Sequence, residues 1–597
     1  MFKLFSAFAI AERRHFLTFT SIAALFPLKN FLQKRTDRDE SKIEFKDKKY
    51  ILLNVVESPS RWMFDTILKP KSDHLFYRNQ FIATNFKSLG NEPLQFEYEY
   101  KFHQYNGFLF PLMWKYNIPT PSGEGKLTDL ADNMLIVRGC NMIFDGHEIN
   151  SKRLEAPSLG HHSLAGLHDH TTPGLFPCIA LEGEKESGTA AQAYSSPTKS
   201  KIPIKKTSSH YINHLFESFL SKSSDVTSDD LLEEILTVKF RRDNISSFIK
   251  QHREKKRAKK YILENYTNIK SDYEKAITKY QDLIDRSLRK TNLTGITDKK
   301  IPGLKLPITL KKKFHSDGSP FQIVDYLGAY KQEDNIILGE DLRSMFDSAE
   351  IKEFSKQMAL TEVAVIYNLT NSIILNISPL KEIRAKVIPL EELILVNKGT
   401  NIIISIRNNL SPKSLKINHE ADSHQTGSLS TLLCDTLQWR AVGSTTQELI
   451  RVIKKTNSKL WKNTLIHLTT EFEREPGDID KGSHHGFTGH TSTFFSGSIE
   501  KTTIIGNIYN ISHDPTDVTP GCGTWGKGAP VTALGDRTMV YGNIASSIAD
   551  FLGCPSPMPH EPRVFKYTNY KIRPLIEDAL NKDYHAKPLK FDKPAAT

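Results

Sequence analysis

Residues 48–57, KKYILLNVVE, limit the fold of this chain more than any other stretch. A short apolar run rich in β-branched residues reads as a buried strand. Residues 133–139, NMLIVRG, give a second one. The last third adds EVAVIYNLT, NIIISIRNN, SLKINHE, TLIHLTTEF and TTIIGNIYN as strand candidates, with ALTEVAVI equally able to begin on a helix. Helical patterns lie between them, in SLSTLLCDTLQWRAV and STTQELIRVIKKTNSKLW. Strands alternating with helices imply an α/β domain with a mostly parallel sheet.

The chain has 597 residues, enough for two to four domains or one large domain with insertions. Residues 1–34 are expected to be an export signal and linker, 45–185 and 311–575 the two halves of the α/β domain, and 576–597 a tail. Between the halves, 186–310 is expected to be a low-complexity linker and a helical insertion. Within it REKKRAKK, at 253–260, reads as a solvated helix face, with polyanion binding as the rival. Near the start, Arg13 and Arg14 precede a short apolar run, the pattern of a bacterial twin-arginine export signal. That run is too short to span a membrane comfortably. No A-x-A site follows it, so cleavage and retention as an anchor both stay open. The expected location is the periplasm or the cell envelope, with the twin-arginine translocase as a transient partner. Five widely spaced cysteines make neither zinc-finger spacing nor a dense disulfide framework. A formal net charge of +12 favours acidic partners without specifying one; no specific nucleic acid is expected.

The chemistry concentrates in TEFEREPGDIDKGSHHGFTGH, which follows the apolar run NTLIHLT. Ligands of open α/β sheets bind at the carboxyl ends of the strands. One strand ends at Glu57, followed by Ser58 and Ser60. SLKINHE runs into Asp422 and His424. TLIHLTTEF ends at Glu471, with Glu473 and Arg474 next and His484 and His485 a loop later. Carboxylates with imidazoles suit zinc, manganese or a similar divalent ion, not a thiolate site. The rival reading is a solvated polar loop. His147, in FDGHEIN after NMLIVRG, is placed to face the same edge. His490 lies in a Gly-rich stretch. A further loop, APSLGHHSLAGLHDH, holds His161, His162, His168, Asp169 and His170, a possible second metal site or a polar surface loop.

These elements resemble a large family of twin-arginine-exported bacterial proteins, sulfatase-like members of the alkaline phosphatase superfamily. NVVESPSRWMFDTILKP resembles the opening segment of that family through Pro59, Ser60, Asp65, Lys69 and Pro70. INHEADSHQ resembles its D-T-H-x-x-Q element through Asp422, His424 and Gln425. TTEFERE resembles T-E-F-G-R-T through Thr470, Glu471, Phe472 and Arg474, and GSHHG resembles G-T-D-H-G through Gly482, His485 and Gly486. FFSGSIEKTTIIGNIY and NIASSIADFLGCP resemble the later Gly-rich strand and closing helix. The likeness covers most of 48–180 and 320–560. It implies a three-layer α/β/α sandwich and hydrolysis of phosphate or sulfate esters at one or two metal ions. By this resemblance Asp422, His424 and His485 are ligands; Glu57 and His484 depart from the family pattern and are ligand candidates on their own chemistry. Ser60, Glu471 and Arg474 are catalytic candidates, Arg474 as a bidentate partner of a substrate oxygen. His147, His162 and His490 are substrate-binding candidates, for an anionic small-molecule or glycan ester.

Three departures stand against the pattern. Glu57-Ser58 replaces a usual Gly-Gly, His484 a usual Asp, and Glu473 a usual Gly. They leave a second function open: a catalytically degenerate member acting as an envelope binding or assembly module.

Overall fold

The computed structural model describes residues 47–576, apart from 66–83, 89–95, 182–200, 205–210, 221–241, 290–303, 339–348, 477–482, 507–527 and several shorter stretches. The expected export signal and tail, with Arg13, Arg14, Lys69, Pro70, His161, Gln425 and Gly482, lie outside the described residues. Of the described residues, those within 212–270 form one compact unit, and those within 47–211 and 271–576 another. No helix among the described residues is long and apolar enough to cross a membrane.

The larger unit is built on an eight-stranded sheet. Its strands are β1 (Lys49–Val55), β2 (Met134–Cys140), β3 (Cys178–Leu181), β4 (Lys201–Ile204), β5 (Ser372–Ile377), β6 (Thr464–Thr469), β7 (His490–Phe495) and β8 (Thr503–Ile505). Their spatial order is β4-β3-β5-β1-β6-β7-β2-β8. Seven run parallel, and β7 alone is antiparallel to its neighbours β6 and β2. All seven residues of β1 are buried. Successive side chains of a strand point to opposite faces. Tyr50 and Leu52 therefore join one core cluster with Leu164, Ile544 and Ile548. These belong to α2 (Leu164–Thr171) and α5 (Tyr541–Leu552), and Leu154 of α1 (His147–Glu155) joins them. Ile51 and Leu53 face the other way and are equally buried. On that side α3 (Ala349–Ile366) packs against β5 and against α4 (Ser428–Thr456). A sheet buried on both faces explains why β1 reads as an unbroken apolar run.

Four expectations shift. EVAVIYNLT is mostly the end of α3, and the strand follows at β5. Asn401–Ile406 and Lys413–Asn418 are strands, but of two small antiparallel sheets outside the main one. The low-complexity linker expected at the start of 186–310 contains strand β4 at the sheet edge. The 186–310 insertion is divided too, because the helix Arg242–Leu288 ends inside the larger unit. There Lys279 pairs with Glu362 and Glu448, the Tyr280 hydroxyl donates to Glu362 over 2.7 Å, and Arg440 of α4 donates to the Ser287 carbonyl over 2.8 Å. In the other unit the Tyr266 hydroxyl donates to Asn213 over 3.0 Å.

Asp65 is part of the frame and not of the site edge. It pairs with Arg61 one helical turn away, and the Thr493 hydroxyl of β7 donates to it over 2.6 Å. Arg61, Asp65 and Thr493 are all fully buried. Burial pushes the Asp65 carboxyl up, against the pull of Arg61 and Thr493. Removing the carboxylate strands a buried guanidinium. Asp65→Ala is expected to cost about 3–5 kcal/mol in denaturant unfolding; a loss under about 1 kcal/mol would show that Arg61 finds another partner.

Candidate metal centre

Strand ends build the site. The chain leaves β1 through Glu57 and Ser58, with φ of 68° and 48°. This is the left-handed region that glycine favours, and each non-glycine residue there costs about 1–3 kcal/mol. The turn is held from β6. Buried Glu471 accepts hydrogen bonds from the Glu57 backbone N–H (3.1 Å), the Ser58 hydroxyl (2.6 Å) and the Ser151 hydroxyl (3.3 Å). Arg474, fully buried, donates to the carbonyls of Ser58 (2.8 Å) and Glu57 (2.6 Å). Its remaining terminal nitrogen lies 2.7 Å from Asp422 Oδ1.

Asp422 comes from the loop before α4, after the small-sheet strand Lys413–Asn418. That loop is tied to the hairpin strand Ser483–Gly486, because the Ser483 N–H donates to the Ser423 carbonyl and the two serine hydroxyls meet at 2.8 Å. The hairpin places His485 opposite Arg474. His147, the first residue of α1, arrives from the end of β2. Asp422 is the hub: its oxygens lie 3.2 Å from His147 Nε2, 3.1 Å from His424 Nε2 and 3.6 Å from His485 Nε2. One ligand atom from each of His147, Asp422 and His485 lies within 4.8 Å of the others. Phe472, fully buried, packs its ring 4.6 Å from His147 and 4.2 Å from His485.

The donors fit a divalent ion of the zinc type. Both ring nitrogens of His147, and Asp422 Oδ1, are buried without a hydrogen bond of good geometry despite these short contacts. A tetrahedral zinc with bonds of about 2.0–2.1 Å spaces its donors about 3.3 Å apart. The outer ring nitrogens have acceptors. His424 Nδ1 lies 2.6 Å from the Ser483 carbonyl oxygen, and His485 Nδ1 contacts the Asp145 carboxylate. A carbonyl oxygen only accepts, so His424 carries its proton on Nδ1 and turns the lone pair of Nε2 inward. Such partners fix the ring and tautomer of metal-ligating histidines. His424 Nε2 and His485 Nε2 then meet at 2.9 Å. Two imidazole lone pairs at that separation need a cation between them, a proton or a metal ion.

The electrostatics agree. Burial opposes ionisation of Asp422, but His147, His485 and Arg474 hold its carboxyl far below the usual range. Glu471 is lowered as well, its burial outweighed by His147 and the Ser58 hydroxyl. His147 is pushed up to about 9: burial works against its charge, and Asp422 and Glu471 overcome it. His424 is lowered, chiefly by burial, with Arg474 and His485 adding to it.

The remaining candidates fall elsewhere. The Glu57 side chain is buried and outside the ligand triplet; its backbone is what serves the site. His484 is exposed, its ring 6.5 Å from that of His424. Ser60 is fully buried, with its N–H on Asp435 and its carbonyl accepting from Trp439, and its hydroxyl has no hydrogen-bond partner among the described residues. Arg474 is fully buried and spends Nε and one terminal nitrogen on the Ser58 and Glu57 carbonyls, while the other terminal nitrogen lies beside Asp422 without a hydrogen bond of good geometry. His490 is not in a flexible loop but fully buried in β7, 2.6 Å from the Thr469 hydroxyl; burial pushes it down to about 3. His162 is exposed, and His168 is buried against the Ser372 hydroxyl at 3.0 Å, so the described part of that loop gathers no second cluster. Sequence reasoning missed Asp145, Ser151 and Ser483. Only Asp145 had a signal, two residues before His147 in FDGHEIN.

Metal and proton compete for His147. Zinc affinity of the full chain should rise roughly tenfold per pH unit from about pH 7 towards 9, and flatten above. Asp145→Ala should weaken it about 10–100-fold. Competition titrations with a chromogenic chelator read both; a flat pH profile would mean that His147 is not a ligand. No family model, curated protein or solved structure matches the chain.

Proposed function

We propose that this chain is an exported, metal-dependent hydrolase of phosphate or sulfate esters, built on a three-layer α/β/α sandwich of the alkaline phosphatase superfamily. The observation that carries the reading is the meeting of His147, Asp422 and His485 at the carboxyl edge of a mostly parallel sheet. These three would hold a zinc or manganese ion, with one side left for substrate. When bound, such an ion supplies Lewis-acid polarisation of a phosphoryl or sulfuryl oxygen. The chain's residues do the rest. Arg474 fixes Asp422, Glu471 faces His147 Nδ1 at 3.8 Å, and Asp145 orients His485. Neither serine near the turn is presented as a nucleophile: the Ser58 hydroxyl donates to Glu471, and Ser60, though its hydroxyl is unpaired among the described residues, is fully buried. The attacking group is therefore water. His424, the most exposed of the four at 39 %, stands beside the cluster; with His485 and Asp422 engaged by the ion, its Nε2 would be the remaining base for the proton of that water.

The twin arginine at Arg13 and Arg14 supports export through the twin-arginine translocase to the periplasm or envelope. The net charge of +12 suits an anionic small-molecule or glycan ester. The inward-turned Arg474 and the buried serines favour a second reading, a degenerate relative that binds through the same cleft.

The test is metal content by mass spectrometry on exported protein, with turnover of p-nitrophenyl phosphate and sulfate. Stoichiometric metal that is lost in His485→Ala, with turnover reduced at least 100-fold in His424→Ala, supports the hydrolase. Metal without turnover selects the binding module. Absence of metal from folded protein overturns both forms of the site.

A further inference from the structure

The loop between β2 and α1 delivers Asp145 and His147, and just before them it presents two large apolar side chains to solvent. Ile143 is 50 % exposed and Phe144 37 % exposed. Ile143 has φ of 73°, a conformation that a β-branched residue takes only at a cost. A glycine would hold this backbone without strain and without exposing an apolar side chain. The chain instead keeps strain and exposure together, one residue from Asp145.

The pair is firmly held. The Met142 N–H donates to the Phe487 carbonyl over 2.7 Å, in the segment that follows His485. The Ile143 N–H donates to the Asn141 side chain over 2.7 Å, and the Phe144 carbonyl accepts from Asn150 of α1 over 2.7 Å. Arg153 lies over the Phe144 ring at 5.4 Å. Phe144 is the chain neighbour of Asp145, whose carboxylate holds His485, with Cα atoms about 3.8 Å apart.

We propose that Ile143 and Phe144 form a rigid apolar platform at the rim of the metal centre, which receives the alkyl or aryl group of the ester while the ion-binding cluster takes its anionic head. This rests on the hydrolase reading and narrows its substrate class to esters with an apolar alcohol or phenol portion. Strain fits such a role because backbone strain persists where the surrounding structure fixes a functional side chain in place.

The experiment is calorimetric binding of methylphosphonate and octylphosphonate to the zinc-loaded full chain, below micelle-forming concentration. Neither ligand is hydrolysed, so the readout does not depend on turnover. Octylphosphonate should bind about tenfold or more tightly than methylphosphonate, as expected if two or three methylenes are buried. The ratio should fall towards one in the Ile143→Ser/Phe144→Ser double variant. Ile143→Gly should also lower the ratio while raising Tm, which separates loss of the platform from loss of the fold. Equal binding of the two phosphonates by the native chain overturns the platform and leaves the anion site standing. Binding of neither overturns the hydrolase reading, and the platform with it.

Discussion

The guanidinium of Arg474 is the interaction on which the site depends. It joins the carbonyls of a left-handed turn after β1 to the carboxylate of Asp422. Without it, the turn at Glu57 and Ser58 would lose its bonds on the carbonyl side, and Asp422 would lose one of the groups, after His147 and His485, that keep it ionised. Glu471 is its counterpart on the acidic side, closing the same turn through the Glu57 N–H and the Ser58 hydroxyl and facing His147. One buried cation and one buried anion thus make the tips of β1 and β6 into a single rigid support. Buried charges are tolerable here because each is paired with an opposite charge or a hydrogen-bonding partner: Arg474 with Asp422 and two carbonyls, Glu471 with the Glu57 N–H and two hydroxyls.

Glu57-Ser58 takes a left-handed backbone of the kind glycine favours and adds polar groups to it. The strain is offset by bonds that glycines would not make, above all the Ser58 hydroxyl to Glu471. His484 is exposed while its neighbour His485 turns inward. Alternation along the short hairpin strand decides which of the two histidines can serve. A site with one aspartate and histidines has charge enough for one divalent ion, and the structure gathers a single cluster among the described residues.

Much of the sheet was legible because burial on both faces leaves an apolar run with no polar alternation. β1, β2 and β6 declare themselves this way. β5 and β7 did not, for opposite reasons. SIILNI follows a helix whose end is equally apolar, and periodicity alone cannot separate a buried helix end from a buried strand. β7, HTSTFF, is polar in composition yet fully buried. Ser492 meets His467, and Thr493 meets Asp65 and Arg61, so its hydroxyls are satisfied by distant partners that hydropathy cannot see.

The sequence by itself determined the α/β class, the main buried strands, and the placing of Asp422, His424, Glu471 and His485 near strand ends, because these follow from local apolar patterning and chain direction. Only the tertiary structure decided their roles. It brought His147 to Asp422 across 275 positions of sequence, turned Arg474 inward to hold Asp422, and put Ser60 and His490 into the interior. Those outcomes depend on which distant group satisfies each buried donor and acceptor. That choice is made by packing, and no local pattern of residues encodes it.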